Sequence, residues 1–267
     1  MDLKEGTAMK SVLIDALRAS GEVLLSYFDK PLDVKYKESQ SSIVTEADIE
    51  CERVIIDIIQ KSFPSHNIVS EEKGLIFNGS EYTWIIDPVD GTSNFAAGVP
   101  WYGALIALCM DTTPVMGGAY LPVQDDLYFA WAGEGAFKND TPIPPIENRE
   151  MKDMLFAFGV DSSDDPESFK KGVEVYKTLV THSRNIRATN SLIDFLYVVE
   201  GKFGGVVNLN TKIWDIAPFM VMISETGGVL KGIDENDIRF VVDEKLLDKT
   251  FRVVAGSDRV VRFFLQA

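Results

Sequence analysis

The stretch Trp84–Trp101, which reads WIIDPVDGTSNFAAGVPW, constrains the fold of this chain more than any other. Its first three residues form a short apolar run, which is typical of a buried strand. Regular pairing of that strand should stop at Pro88, because proline has no N–H to donate to a neighbouring strand. Asp90-Gly91 is a turn dipeptide, and the three residues that follow it, TSN, are all good helix N-caps. The stretch therefore predicts a strand, a turn and a helix start.

This predicted turn combines two kinds of group that together bind a metal and a phosphate. Asp87 and Asp90 place two carboxylates three residues apart at the carboxyl end of a strand, and carboxylate oxygens are preferred ligands of hard divalent cations. The N–H groups at a helix start bind phosphate oxygens. A surface turn with acidic caps is an alternative for DPVDG alone, but it does not explain the apolar residues on both sides.

Two long motifs resemble those of the inositol monophosphatase family. The first is WIIDPVDGTSNFAAGVP, in which Trp and two apolar residues precede Asp-Pro-apolar-Asp-Gly-Thr, Asn-Phe and Gly-x-Pro. The second is WDIAP at residues 214–218, followed by Gly227-Gly228. They occur in the family's order, and the resemblance covers essentially the whole chain. It implies an α+β protein with the layered α-β-α-β-α fold of the Mg2+-dependent, lithium-sensitive sugar phosphatases.

The hydrophobic pattern changes near the middle of the chain. Residues 104–131 read as sequential antiparallel strands of one sheet, whereas strands and helices alternate after residue 151, which is typical of α/β structure. The polar stretch Thr141–Met151 is the best candidate for a boundary between them. We predict an N-terminal α+β subdomain, residues 1–145, with the first motif, and a C-terminal α/β subdomain, residues 146–267, with the second.

Smaller patterns give local expectations. Thr45 and Asp48 resemble a capping box at the start of a second helix, and Ser191 and Asp194 are a plausible capping pair for a later one. Lys73–Tyr82 reads as a loop.

Charge and hydropathy exclude several classes of function. The 267-residue chain has a formal net charge of −15 and a pI of about 4.6, so we expect no basic surface that could bind nucleic acid. No apolar run approaches the length of a membrane span, and the N-terminus shows no apolar segment typical of a signal peptide. We therefore expect a cytoplasmic protein that does not bind membranes.

The cysteines and histidines argue against zinc and disulfides. Cys51 and Cys109 lie in apolar periodic segments, which favours two buried free thiols in a reducing compartment over a disulfide. His66 and His182 stand alone in polar contexts, so we expect both on the surface. Because the chain has no Cys or His cluster, a zinc site is disfavoured, and hard oxygen ligands favour Mg2+.

The resemblance gathers four carboxylates, Glu71, Asp87, Asp90 and Asp215, although Asp215 alone would also suit a structural role at a helix N-terminus. They carry a charge of about −4 and a phosphomonoester adds nearly −2, so two Mg2+ neutralise the protein ligands and a third balances the substrate. By resemblance, Glu71, Asp87 and the Val89 carbonyl hold the first ion, and the three aspartates hold the second. Glu71, acting through waters, helps to hold the third.

The resemblance also assigns the other site residues. Glu71 and a Thr92–Asp48 pair orient and deprotonate the attacking water, and the N–H groups of Gly91 and Thr92 hold phosphate oxygens. Lys37 falls where the family keeps a lysine in a mobile active-site loop, although a solvated surface charge explains it equally well. The expected substrate contacts are Asn190, Ser191 and Asn208.

The implied function is that of a Mg2+-dependent phosphomonoesterase, a homodimer, that hydrolyses a small phosphorylated metabolite with metal-activated water. Inositol 1-phosphate or a related sugar or polyol phosphate is expected, because Ser93-Asn94-Phe95 fits the inositol-type branch better than the adenosine-phosphate branch. Other family members hydrolyse fructose 1,6-bisphosphate, histidinol phosphate, 3'-phosphoadenosine 5'-phosphate or NADP. A non-catalytic regulator that binds metal or phosphate is an alternative of a different class.

Two positions depart from the inositol-type pattern. That pattern has Gly before a helix start of small residues, where this chain reads RATNSL at residues 187–192. It has Glu seven residues before the Asp of the WD pair, where this chain has Asn208. The sequence therefore predicts a pocket less tuned to myo-inositol than is usual.

Overall fold

The structure, a computed structural model, describes residues 3–30, 35–36, 43–159, 166–234 and 237–266. Within these residues the α-helices are α1 (Leu3–Tyr27), α2 (Glu46–Ser62), α3 (Thr92–Ala96), α4 (Pro166–His182), α5 (Ile193–Val199), α6 (Ile213–Glu225), α7 (Lys245–Asp248) and α8 (Asp258–Gln266). The strands are β1 (Lys35–Tyr36), β2 (Ile43–Val44), β3 (Asn67–Ser70), β4 (Gly74–Ile76), β5 (Tyr82–Asp90), β6 (Gly103–Met110), β7 (Thr113–Leu121), β8 (Asp126–Trp131), β9 (Gly135–Lys138), β10 (Thr141–Pro142), β11 (Leu155–Gly159), β12 (Asn185–Arg187), β13 (Phe203–Thr211), β14 (Val229–Gly232) and β15 (Phe251–Gly256).

Two large sheets organise the described chain. The first has eight strands in the order β10-β9-β8-β7-β6-β5-β3-β4, and every pair in it is antiparallel except β3 with β5. The second has five strands in the order β12-β11-β13-β15-β14. Its β12-β11-β13 part is parallel, and β13-β15-β14 is antiparallel. The predicted contrast between an antiparallel first half and an α/β second half is thus visible in the sheets.

Three apolar clusters join these sheets and helices into layers. One cluster packs α1 and α2 against one face of the first sheet. A second fills the space between the first and second sheets, where α5 and α6 lie. A third packs α4 and α8 against the outer face of the second sheet. The order of layers is α-β-α-β-α, which confirms the predicted fold. The boundary at residue 145 stays a prediction, because both halves of the chain contribute to the middle cluster.

α2 shows how local sequence specifies an element that supports the site. The Thr45 hydroxyl accepts a hydrogen bond from the N–H of Ala47 at 3.2 Å, and the Asp48 carboxylate accepts one from the N–H of Thr45 at 2.8 Å. This is the predicted capping box, a device whose loss costs about 1 kcal/mol. The buried face of the helix carries Ile55, Ile56 and Ile59, and also two carboxylates, those of Asp48 and Glu52.

Regular pairing of β5 stops at Pro88 as predicted, but the strand itself does not end there, and the predicted cap of α3 is wrong. β5 continues through Pro88 to Asp90, while its pairing with β6 shifts register between Asp87 and Asp90. Proline therefore interrupts the ladder without ending the strand. The cap position of α3 is occupied by Gly91, in the left-handed conformation with φ 87°, and not by a side chain of the TSN tripeptide.

Two further local predictions are wrong. Lys73–Tyr82 is not wholly loop, because it contains β4, which pairs with β3. Ser191 and Asp194 do not cap a helix together. α5 begins at Ile193, and the Asp194 carboxylate instead accepts a hydrogen bond from the N–H of Thr189 at 3.3 Å.

Both thiols are buried as predicted, but only one of the two histidines lies on the surface. Cys51 and Cys109 are buried free thiols, and His182 is exposed. His66 is instead buried, and burial lowers its pKa. Its Nδ1 accepts a hydrogen bond from the indole N–H of Trp84 at 3.1 Å. A helix of the length and hydropathy needed to cross a bilayer does not occur among the described residues.

Candidate active site

Three carboxylates meet where β5 ends. Asp87, Asp90 and Asp215 have carboxylate oxygens that lie within 4.8 Å of one another. The first two come from the irregular end of β5 and the third from the first turn of α6, so the cluster joins the two halves of the chain. The N–H of Val89 donates to Asp87 at 3.0 Å, and the N–H of Lys212 donates to Asp215 at 2.7 Å. These backbone bonds fix the directions of two of the three carboxylates.

Burial and mutual repulsion raise the pKa of both aspartates of the turn. Burial, followed by the charges of Glu71, Asp90 and Asp215, holds the pKa of Asp87 well above its usual range. Burial and the Asp215 charge also raise the pKa of Asp90 well above its usual range, against the opposing hydrogen bond from the N–H of Leu192. Carboxylates so arranged do not all stay ionised without a counter-charge, which a divalent cation would supply.

Glu71 lies beside this cluster, in the turn between β3 and β4. Its N–H donates to the carbonyl of Ile86 on β5 at 3.3 Å, and its charge raises the pKa of both Asp87 and Asp90. The structure therefore brings the four predicted carboxylates into one region. Their donors are oxygens alone, a set that favours a hard cation such as Mg2+ over zinc.

Thr92 and Asp48 are in contact next to the carboxylates. The Thr92 hydroxyl lies 3.2 Å from Asp48 Oδ1 and 2.8 Å from the carbonyl oxygen of Val89. Asp48 is 1% exposed, and its other oxygen accepts hydrogen bonds from both the N–H and the hydroxyl of Thr45. One carboxylate therefore caps α2 and faces Thr92 at the same time, as the resemblance implies.

Gly91 occupies a position where a side chain does not fit. Its φ is 87°, and a Cβ there would lie 2.6 Å from the carbonyl oxygen of Trp101 and 3.0 Å from Cβ of Ser191. Glycine adopts this conformation without steric cost. The N–H groups of Gly91 and Thr92 stand at the start of α3, where no intrahelical acceptor is available to them. They are thus free of the helix ladder and could hold an anion.

We expect Gly91→Ala to destabilise the protein by about 1 to 3 kcal/mol, from strain and the clash with the backbone of Trp101, and to lower kcat sharply. Gly133→Ala is the matched control, because Gly133 has a similar φ of 83° but its added Cβ would have no atom of the described residues within 4 Å. Chemical denaturation and a phosphate-release assay measure the two effects. Equal losses in the two variants would show that the contacts around Gly91 do not matter.

The predicted substrate residues lie in different places. Asn190 has a left-handed φ of 49° and is exposed, and Ser191 follows it beside the turn of the first motif. Asn208 lies on β13, where its Oδ1 accepts from the N–H of Asn210 at 3.0 Å and not from a group of the carboxylate cluster. Lys37 lies outside the residues that the structure describes.

The structure adds two sets of hydrogen bonds that the sequence did not reveal. The Asn94 amide donates to the carbonyls of Trp101 at 3.0 Å and Thr189 at 2.9 Å. The N–H of Leu192 donates to Asp90. Both connect the turn of the first motif to the segment before α5, across about 100 residues of sequence. No local pattern signals contacts over such a separation.

The whole of this architecture corresponds to one protein family. A sequence profile of the inositol monophosphatase family matches residues 6–262. The chain belongs to the inositol monophosphatase family. Members of this family are phosphatases, and the protein is therefore a phosphoric monoester hydrolase of the inositol-phosphate phosphatase type.

Its relatives in the inositol monophosphatase family carry more than one functional name. The fructose-1,6-bisphosphatase/inositol-1-monophosphatase of Aquifex aeolicus is 32% identical over 257 residues, which cover 94% of this chain and 91% of that protein. The Nus factor SuhB of Haemophilus influenzae is 28% identical over 260 residues, which cover 96% of this chain and 94% of that protein.

Solved structures show the same fold. The extragenic suppressor protein suhB from Bartonella henselae has a TM-score of 0.86 at 26% identity, over 97% of each chain. A crystal structure of an IMPase/NADP phosphatase complexed with Mg2+ and phosphate has a TM-score of 0.83 at 21% identity, over 97% of this chain and 94% of that one. At the latter identity the likeness establishes the fold alone.

Proposed function

We propose that this family member is a Mg2+-dependent phosphomonoesterase that hydrolyses a small metabolite, most readily inositol 1-phosphate or a related sugar or polyol phosphate. The observation that carries the proposal is the cluster of Asp87, Asp90 and Asp215, whose oxygens lie within 4.8 Å of one another. Hard oxygen donors favour Mg2+ as the cofactor, and a structure of the same fold, an IMPase/NADP phosphatase, is complexed with Mg2+ and phosphate.

Two to three Mg2+ would be held by oxygen ligands of this chain. Glu71, Asp87 and the Val89 carbonyl would hold the first, and Asp87, Asp90 and Asp215 the second. Glu71 would help to hold the third through waters. Bound Mg2+ lowers the pKa of a water ligand and stabilises the negative charge that develops on the leaving oxygen.

The chain's own groups would orient the water and the phosphate. When the Thr92 hydroxyl donates its one proton to Asp48, its oxygen is left to accept a hydrogen bond from the attacking water. Glu71 would accept the proton that the water loses. The N–H groups of Gly91 and Thr92 would hold phosphate oxygens and stabilise the charge that builds on them. Lys37 is proposed, from the resemblance alone, as a further group of the loop that closes on substrate.

Phosphate release by the purified protein tests this proposal. The panel consists of inositol 1-phosphate, fructose 1,6-bisphosphate, histidinol phosphate, 3'-phosphoadenosine 5'-phosphate and NADP, each with Mg2+ and with EDTA. We expect Mg2+-dependent release from at least one compound, with a sugar or polyol phosphate among the best substrates. Absence of release from the whole panel would contradict the proposal.

A non-catalytic role beside the phosphatase activity is the second candidate, because the relative from Haemophilus influenzae is named a Nus factor. The carboxylate cluster favours catalysis, since Asp87, Asp90 and Asp215 lie close enough together to hold a cation. Direct binding of nucleic acid is opposed by the net charge of −15. On family grounds we also propose a homodimer in the cytoplasm, which sedimentation equilibrium and fractionation would test.

Substrate choice should depend on Asn208, which stands where inositol-type relatives carry a Glu that accepts hydrogen bonds from ring hydroxyls. A charged acceptor forms stronger hydrogen bonds than an amide oxygen. We expect Asn208→Glu to raise kcat/KM for inositol 1-phosphate by about 5- to 150-fold, which corresponds to about 1 to 3 kcal/mol.

Asn210→Glu is the matched control for this change, because Asn210 lies two residues further along β13 and is exposed. It adds the same charge at a neighbouring position of the same strand, so an equal gain in both variants would show that the added charge alone, and not its place at residue 208, raises kcat/KM. Efficient hydrolysis of inositol 1-phosphate by the wild type, with a fall in Asn208→Glu, would instead show that Asn208 belongs to a different polyol site.

A further inference from the structure

Glu52 is a buried carboxylate that the proposed mechanism leaves unused. It lies on α2 and is 5% exposed. Its Oε1 accepts three hydrogen bonds, from the hydroxyl of Ser70, from the N–H of Glu72 at 3.0 Å and from the N–H of Lys73 at 3.0 Å. Burying an ionised carboxylate is costly unless such bonds compensate it.

The three donors surround Glu71. β3 ends at Ser70 and β4 begins at Gly74, so the residues bound by Glu52 are the one before Glu71 and the two after it. The backbone of Glu71 is itself hydrogen-bonded to β5, since its N–H donates to the carbonyl of Ile86, the residue before Asp87. The turn that carries Glu71 is therefore held between a side chain of α2 and the backbone of β5.

Glu52 and Asp48 are one helical turn apart on the same buried face of α2. Asp48 contacts Thr92 at 3.2 Å, whereas Glu52 fastens the turn of Glu71. α2 thus supports both Thr92 and Glu71, the two groups that the proposed mechanism uses to orient and deprotonate the attacking water. An apolar side chain at this buried position would satisfy packing but not the three donors.

We propose that Glu52 is a positioning residue that holds Glu71 in register with Thr92 and with the aspartate cluster. The inference rests on the proposed function, because Glu71 is assigned there to Mg2+ and to the water. Loss of Glu52 frees the Ser70 hydroxyl before Glu71 and two backbone N–H groups after it, so the turn no longer holds the Glu71 carboxylate firmly beside the cluster. We therefore expect weaker metal binding and a lower kcat, with little change in binding of the part of the substrate away from the phosphate.

The test compares Glu52→Ala with Glu52→Gln, which keeps the shape and one acceptor oxygen. Glu50→Ala is the matched control, because the Glu50 side chain on the same helix is 39% exposed and pairs with Arg53. The measurements are kcat, KM, the Mg2+ concentration for half-maximal activity, and the shift in melting temperature that Mg2+ causes.

In Glu52→Ala we expect kcat to fall about 10- to 100-fold, half-saturation to need about 10-fold more Mg2+, and the Mg2+-induced melting shift to shrink. KM for the substrate should stay within about 2-fold. Glu52→Gln should lie between Glu52→Ala and the wild type, and Glu50→Ala should match the wild type.

A folded Glu52→Ala variant with wild-type kcat and a wild-type response to Mg2+ would overturn the inference. If Glu52→Ala does not fold, Glu52→Gln and Ser70→Ala decide: partial losses of Mg2+ response support the inference, and wild-type values in both overturn it. Failure of the proposed function differs from failure of this inference, because in the former case the wild type itself would release no phosphate. The Mg2+-induced melting shifts of the variants would still report on Glu52.

Discussion

Asp90→Asn should lower Mg2+-dependent turnover by at least about 100-fold, a loss of about 2.7 kcal/mol of transition-state stabilisation, while the metal-free protein stays at least as stable as the wild type. The amide is a poorer ligand for a hard cation than the carboxylate. It can still accept the hydrogen bond from the N–H of Leu192, and it removes one charge from a cluster in which carboxylates repel one another.

The stability effect has a defined dependence on pH. The pKa of Asp90 is raised in the folded protein, mainly by burial and by the Asp215 charge, so its protonated form favours folding. The metal-free wild type should therefore gain stability as the pH falls through that raised pKa, and Asp90→Asn should gain less. Thermal melts in EDTA, recorded at a series of pH values from neutral to mildly acidic, compare the melting temperatures of the wild type and Asp90→Asn.

Asp111→Asn provides the control for Asp90→Asn, because it changes an exposed aspartate in the turn after β6. It should leave both kcat and the metal-free melting temperature unchanged. Appreciable turnover by Asp90→Asn at saturating Mg2+ would show that Asp90 is not a metal ligand.

Thr92→Val should lower kcat by about 100-fold or more, the range expected for loss of a group that orients a proton transfer. Valine keeps the shape of threonine but removes the hydroxyl that lies 3.2 Å from Asp48 and 2.8 Å from the carbonyl of Val89. Because the carboxylate cluster is untouched, the Mg2+ concentration for half-maximal activity and the Mg2+-induced melting shift should change little.

Thr92→Ser separates the hydroxyl from the rest of the side chain and should retain most of the activity. A loss in Thr92→Ser as large as that in Thr92→Val would mean that packing of the methyl group, and not the hydroxyl, matters. Wild-type turnover in Thr92→Val would exclude the hydroxyl from the reaction.

The parts of the site that the sequence could predict are local or carried by a motif. The turn from Asp87 to Thr92 follows from an apolar run, a proline and a turn dipeptide in succession, and the structure brings Asp215 to it as the second motif implies. The strand does continue past Pro88. The lack of an N–H on proline predicts where regular pairing stops, but not that the chain pairs with β6 again at Asp90.

The parts that the sequence could not predict depend on contacts over long separations. The bonds from Leu192 to Asp90 and from Asn94 to Thr189 use backbone groups or an amide with no periodic signal. Glu52 is different, because it follows Asp48 by four residues and precedes Ile55 by three. A charged residue on that apolar stripe was a visible signal of a buried, bonded carboxylate.

The most direct measurement of the central claim is a crystal structure of the protein soaked with Mn2+ and inorganic phosphate, recorded with anomalous scattering. Mn2+ accepts the same oxygen ligands as Mg2+ and can be located by its signal. We expect at least two anomalous peaks, one in contact with Glu71 and Asp87 and one with Asp87, Asp90 and Asp215, and a phosphate against the N–H groups of Gly91 and Thr92. Well-ordered carboxylates at this site with no anomalous peak, at Mn2+ concentrations that support the highest phosphatase activity, would contradict it.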